Sequence, residues 1–152
     1  ADFAVMNSGG VRDSIEAGDV TYKDVLKVQP FGNIVTYTDM TGKEVMDYLN
    51  VVATKPVDSG AYAQFAGISM TVENGQVSHV FIGGKQLRMD KTYRFTVPSY
   101  NAAGGDGYPK INTHPGYVNT GFVDAEVLKE FLQSHSPIDV NKFAPSGQIV
   151  YK

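Results

Sequence analysis

Ile68-Ser69-Met70-Thr71-Val72-Glu73-Asn74-Gly75-Gln76-Val77-Ser78-His79-Val80-Phe81-Ile82 is the stretch that decides the fold class. Two runs of strand-forming residues, Ile68 to Val72 and Val77 to Ile82, flank Asn74-Gly75. That dipeptide accepts the positive φ values of a tight turn, so the two runs pair as an antiparallel hairpin. Gly83-Gly84 turns the chain again. Downstream, Thr92 to Val97 reads as a further strand, ended by Pro98, and Gln148 to Tyr151 as a last one. Upstream, Ile34 to Asp39 alternates weakly, and Phe3 to Met6 is an apolar strand running into the turn Asn7-Ser8-Gly9-Gly10.

Helical segments interleave with these strands. Thr21 to Val28 opens on a capping box, with Asp24 three residues after Thr21, and stops at Pro30. Thr41 and Glu44 form a second box; behind them Val45, Tyr48, Leu49 and Val52 share one face, and the helix ends before Pro56. Asp124 reads as the N-cap of a third helix, whose apolar face is Val127, Leu128, Phe131 and Leu132. Helices interleaved with a hairpin predict an α+β domain with a mixed sheet rather than a purely parallel α/β fold. No repeat, low-complexity tract or linker interrupts residues 1–152, which read as one domain.

Of 152 residues, 42% are hydrophobic and 19% charged, a composition that builds a core. The formal net charge of −3 argues against a binder of nucleic-acid polymer or anionic membrane. A small anion is compatible with it, because one well-placed Arg binds a phosphate on an acidic protein. With no cysteine, a disulfide-stapled fold and a Cys-based zinc site are out. No apolar run is long enough to span a membrane and no signal peptide stands in the chain. Opening on Asp2-Phe3-Ala4-Val5-Met6, a strand, the chain reads as a fragment whose upstream part has been removed.

The three histidines, His79, His114 and His135, have no His or carboxylate at a recognisable ligand spacing, so no metal site is expected in this chain. His135 ends a helix, where a cation is favoured. Nucleophile-elbow, phosphate-loop and dinucleotide fingerprints are missing, which leaves no catalytic residue to name. What the sequence does contain is a set of parts for holding a ligand. Arg12 follows a glycine pair after a strand, and its planar fork matches a phosphate. Phe31, in Phe31-Gly32-Asn33, is either a plug of the core or an exposed ring, and composition favours the plug. Tyr100-Asn101-Ala102-Ala103-Gly104-Gly105-Asp106-Gly107-Tyr108 is a glycine-rich loop with aromatics at both ends and one carboxylate. It reads equally as a binding loop or a flexible connector.

Taken in order, these stretches resemble one family. Asn7-Ser8-Gly9-Gly10-Val11-Arg12 resembles the motif that opens the C-terminal half of 5′-nucleotidases. Gln29-Pro30-Phe31-Gly32-Asn33, Asp58-Ser59-Gly60 and Asn101 to Tyr108 match further motifs of that family in the same order. The likeness covers essentially the whole chain and is closest to bacterial periplasmic enzymes that hydrolyse UDP-sugars and 5′-nucleotides.

The resemblance implies a layered α/β/β/α domain with mixed sheets. Residues 1–152 would be the substrate-binding C-terminal domain of a larger two-domain protein. It implies that Phe31 and Tyr100 clamp the base; Tyr100 departs from the usual Phe but keeps the π-face. Asp106 would take the ribose hydroxyls and Arg12 the phosphate, with Asn33, the Gly60 backbone and Asn7 beside the base. Implied substrates are AMP, other 5′-nucleotides and UDP-sugars. Hydrolysis would be performed by a covalently linked N-terminal metallophosphoesterase domain holding a divalent metal pair such as zinc, manganese or cobalt. The implied location is the periplasm, with the signal peptide lost along with the upstream sequence. Two rivals stand beside this reading: a stand-alone nucleotide-binding module, and a secreted interaction domain whose aromatics all serve the core.

Overall fold

Period-two burial begins at the first strand: Phe3, Val5 and Asn7 are buried in β1 (Phe3–Asn7), while Ala4 and Met6 are half-covered. The computed structural model describes all residues from Ala1 to Lys152. In α1 (Tyr22–Val28), Thr21 Oγ1 accepts from the Asp24 N–H and Asp24 accepts in turn from the Thr21 N–H, the expected capping box. The second box, Thr41 with Glu44, joins β2 (Ile34–Thr41) directly to α2 (Gly42–Val52), which buries Val45, Tyr48, Leu49 and Val52. Gly42 is required there, because a Cβ would stand 2.0 Å from the Arg88 carbonyl oxygen.

A short strand, β3 (Ala63–Ala66), precedes the hairpin of β4 (Ile68–Glu73) and β5 (Gln76–Ile82). Asn74 and Gly75 have φ of 52° and 71°, as the turn demands. Along the hairpin Thr71 faces Ser78 and Ser69 faces Phe81, so His79 and Val80 together oppose Met70. His79, at φ 52°, is thus a bulge residue. The chain continues through β6 (Lys85–Gln86), β7 (Thr92–Pro98), a helical turn α3 (Ser99–Ala102), β8 (Tyr117–Val123), α4 (Asp124–Ser134) and β9 (Ile149–Tyr151).

Two mixed sheets result, with orders β3-β1-β7-β2-β8 and β6-β5-β4-β9. β1 runs parallel to β7 and β4 parallel to β9; the other pairs are antiparallel. The sheets and four helices make the expected layered α+β domain, with α2 in the core against strands of both sheets. Phe3 and Phe95 stack there across the parallel pair, rings 4.8 Å apart. On the outer face of the larger sheet, Val127, Leu128 and Phe131 of α4 line a groove with Ala4 and Met6. No helix is long and apolar enough to cross a membrane.

Three local expectations need correction. Asp124 is not an N-cap: Val123 holds that position with no side-chain bond, and Asp124 Oδ1 accepts from the Ala125 N–H inside the first turn. The reason is that Val123 still pairs with Ile34, and the Asp124 N–H donates to the Asn33 carbonyl, so strand passes into helix without a capping turn. Strands β3, β6 and β8 have no sequence signature; β8 alternates in neither burial nor polarity and contains Gly121 at φ 75°. The stretch Tyr100 to Tyr108 is not a uniform loop, since α3 and a 3₁₀ turn at Gly105–Gly107 organise it.

Topology then places the site. Parallel pairing of β1 and β7 sets both carboxyl ends at one edge, and antiparallel β2 starts at that edge. In open α/β sheets ligand clefts form outside the carboxyl ends of parallel strands, and the parallel pair β1–β7 offers the same arrangement here. Here the segments after β1, before β2 and after β7 meet. The loop before β3 joins them because Asn7 pairs with Ala63.

Candidate functional site

The cleft at this edge has a volume of about 680 Å³ and is lined by Asn7, Gly9, Gly10, Arg12, Phe31, Gly32, Asn33, Gly60, Ser99, Tyr100 and Asp106. All seven residues singled out from the sequence, Asn7, Arg12, Phe31, Asn33, Gly60, Tyr100 and Asp106, are among them. They come from four separate segments of the chain.

Phe31 is not a core plug: 61% of it is exposed. It is carried on a bend whose next residue, Gly32, has φ 66°. The Arg12 guanidinium carbon lies 5.7 Å from the centre of its ring, close enough for cation–π attraction. Arg12 forms no ion pair with a carboxylate, so its charge is available to an anion in the cleft. The Arg12 backbone N–H donates to the Val28 carbonyl, which fixes the segment against α1.

Tyr100, in the same lining, is 49% exposed. Its ring lies over Gly105, where a Cβ would come within 2.5 Å of the ring carbons; any larger residue would lift the ring away. Asn33 Oδ1 accepts from the Tyr100 N–H at 3.0 Å and from Ser99 Oγ at 3.4 Å, and Ser99 Oγ accepts from the Ile34 N–H at 2.9 Å. The Asn33 side-chain oxygen is therefore committed to shaping the turn, and its amide Nδ2 is what it can offer a ligand. Elsewhere in the lining, the Gly9 N–H donates to the Gly60 carbonyl at 2.9 Å, and a Cβ on Gly9 would stand 3.3 Å from the Gly60 Cα.

Asp106 carries the negative charge of the cleft. Its backbone, at φ 60° and ψ 19°, is left-handed, which costs a non-glycine residue on the order of 1–2 kcal/mol. Its carboxylate accepts from Asn7 Nδ2 at 2.8 Å and from Tyr100 Oη at 3.0 Å. The bond to Asp106 and its negative charge push the Tyr100 phenol above its usual range, so it remains a protonated donor.

Sequence reasoning missed the residues that hold this loop. Asn101, fully buried, donates from Nδ2 to the Gly105 carbonyl at 3.2 Å. Lys55 Nζ donates to the Gly107 carbonyl at 2.9 Å, and Tyr108 Oη to the Ala61 carbonyl at 2.7 Å. Only the glycine spacing hinted that the loop needed such support.

The histidines stand elsewhere. His114 Nδ1 accepts from the Gly116 N–H at 2.9 Å, which places the proton on Nε2, 2.8 Å from Glu44 Oε2. His135 stacks on Phe131, with ring centres 4.1 Å apart. No three His, Asp or Glu side chains gather as a metal-binding group. The geometry can stack a planar ring, offer a fixed acceptor to hydroxyls and present one cation to an anion.

Comparison with known proteins agrees with the motif order. A family model described as 5′-nucleotidase, C-terminal domain, matches residues 1–113. Over all 152 residues the chain is 88% identical to a 5′-nucleotidase of Vibrio vulnificus (strain CMCP6) and 57% identical to Protein UshA of Escherichia coli (strain K12). It covers 28% of each of those proteins, so it spans little more than a quarter of their length. The crystal structure of a 5′-nucleotidase precursor from Thermus thermophilus superposes with a TM-score of 0.86 at 29% identity, over 99% of this chain and 31% of that one. The NAD nucleotidase (NadN) of Haemophilus influenzae superposes with a TM-score of 0.83 at 25% identity, over 99% of this chain and 30% of that one. The motifs, the cleft they build and these matches agree: the chain belongs to the 5′-nucleotidase C-terminal domain family.

Proposed function

We propose that residues 1–152 form the substrate-binding domain of a longer two-domain hydrolase of 5′-nucleotides and UDP-sugars, exported to the periplasm. In this reading Phe31 and Tyr100 hold the two faces of the base, Asp106 accepts the ribose hydroxyls and Arg12 meets a phosphate. Asn33 Nδ2 and the Gly60 backbone border the base, while Asn7, expected beside the base, donates from Nδ2 to Asp106 at 2.8 Å and in this reading supports the ribose site instead. The observation that carries it is the exposure of Phe31 and Tyr100 in the lining of one cleft whose single carboxylate is Asp106. A secreted interaction domain with core aromatics would bury both rings.

The residues of this chain do not gather a metal set. Phosphoryl chemistry, and the divalent metal pair implied by the resemblance, are therefore assigned to a linked N-terminal domain. This chain contributes recognition: it stacks the base, orients the ribose and neutralises part of the phosphate charge. Titration with adenosine and AMP, followed by NMR or calorimetry, tests the reading. Adenosine is expected to shift resonances of Phe31, Tyr100 and Asp106, and AMP those of Arg12 as well. Shifts confined to other surfaces would overturn it.

A further inference from the structure

Both oxygens of the Asp106 carboxylate are already engaged, and by residues from different segments. Asn7 Nδ2 reaches Oδ2 at 2.8 Å from 99 positions away in sequence. Tyr100 Oη reaches Oδ1 at 3.0 Å. An ionised carboxylate has about four lone-pair sites, so one donor on each oxygen leaves one acceptor site on each. The backbone adds to the constraint, because Asp106 at φ 60° stands between Gly104 at φ 100° and Gly107 at φ 74°.

We propose that Tyr100 and Asn7 are positioning residues that set the Asp106 carboxylate as a two-point acceptor for a vicinal diol, making the cleft selective for ribosides over 2′-deoxyribosides. The proposal rests on reading Asp106 as the ribose acceptor. Without these donors the carboxylate would turn about its side-chain torsions, and binding a diol would have to order it. Tyr100 then serves twice through one side chain, its ring on the base and its hydroxyl on the group that reads the sugar. Phenylalanine at this position would stack as well but leave Oδ1 without its donor. Asn7, only 5% exposed at the end of β1, is rigid enough to hold the other oxygen.

The test compares adenosine and 2′-deoxyadenosine by NMR titration or calorimetry in the 152-residue chain and in Tyr100→Phe, Asn7→Ala and Asp106→Ala variants. The unsubstituted chain is expected to prefer adenosine. Tyr100→Phe should cut that preference about two- to tenfold, the effect of losing one hydrogen bond. The loss should come through weaker adenosine binding, with 2′-deoxyadenosine changed less than about twofold. Asn7→Ala should act in the same direction, and Asp106→Ala should abolish the preference. Tyr100→Phe removes a single exposed oxygen and keeps the ring, so it decides even if Asn7→Ala disturbs the strand end. A preference unchanged or enlarged in Tyr100→Phe, while Asp106→Ala still abolishes it, overturns the positioning role. If Asp106→Ala binds adenosine as tightly as the unsubstituted chain, the ribose reading itself fails.

Discussion

Asn33 Oδ1 accepts a hydrogen bond from the Tyr100 backbone N–H at 3.0 Å, joining two segments that lie 67 residues apart. That oxygen thereby helps, with the Ile34 N–H bond to Ser99 Oγ and the β2–β7 pairing, to hold the bend carrying Phe31 against the turn carrying Tyr100. Asn33→Ala should release the turn. A net hydrogen bond is worth about 0.5–1.5 kcal/mol, so adenosine affinity should fall roughly two- to tenfold. Amide exchange at Tyr100 should rise in the same variant, which a loss of base contact alone would not produce.

The aromatic flanks should be energetically coupled. Stacking contributes about 1–3 kcal/mol per base by alanine substitution. Phe31→Ala and Tyr100→Ala should each weaken adenosine binding within that range, and the double variant should lose less than the sum, since both faces act on one base. Calorimetry on the four proteins of this cycle measures the coupling. Strict additivity would mean the rings do not share a ligand.

Arg12 should separate nucleotides from nucleosides. Hydrogen bonds to charged groups contribute about 1.5–3 kcal/mol. Arg12→Ala should therefore weaken AMP far more than adenosine, and raising the salt concentration should narrow the difference between AMP and adenosine in the unsubstituted chain. A small loss for adenosine is also expected, because the guanidinium lies 5.7 Å over the Phe31 ring and steadies it. Titrations at low and high salt check both effects.

Hydrolysis should not accompany binding. The chain alone is expected to release no phosphate from AMP or a UDP-sugar with zinc, manganese or cobalt added, because no three ligand side chains gather in it. A colorimetric phosphate assay on purified protein checks this; metal-dependent turnover would contradict it.

Glu44 should make stability depend on pH. Its carboxyl is held below the usual glutamate range, first by the Thr41 N–H and then by His114. A depressed carboxylate stabilises the fold above its ordinary pKa of about 4.3, and that contribution is lost as the pH falls through the lower folded value. The Glu44 side chain is 43% exposed, so solvent screening keeps the effect below about 1 kcal/mol. Urea unfolding of the chain and of Glu44→Gln should differ at neutral pH and converge in acid. A gap that widens in acid would reverse the assignment.

Features under local control are legible in the order of residues alone. Two capping boxes and the Asn74-Gly75 turn depend on residues one to three positions apart, and all three stand where their local patterns predict them. The order of the motifs also sufficed for the family, and it named seven of the residues that line the cleft. The remaining features depend on contacts between residues far apart in the chain. Phe31 has the composition of a core residue, and only the edge formed by β1, β7 and β2 leaves it exposed. β8 has no alternation to announce it, because its place is set by pairing with β2, a strand far upstream in the chain. Asp106 shows the difference most directly. Its carboxylate was legible as a candidate, but its orientation depends on Asn7, 99 residues distant. Hydrogen bonds of that span exist only once the sheet has closed, and no local pattern of side chains encodes them.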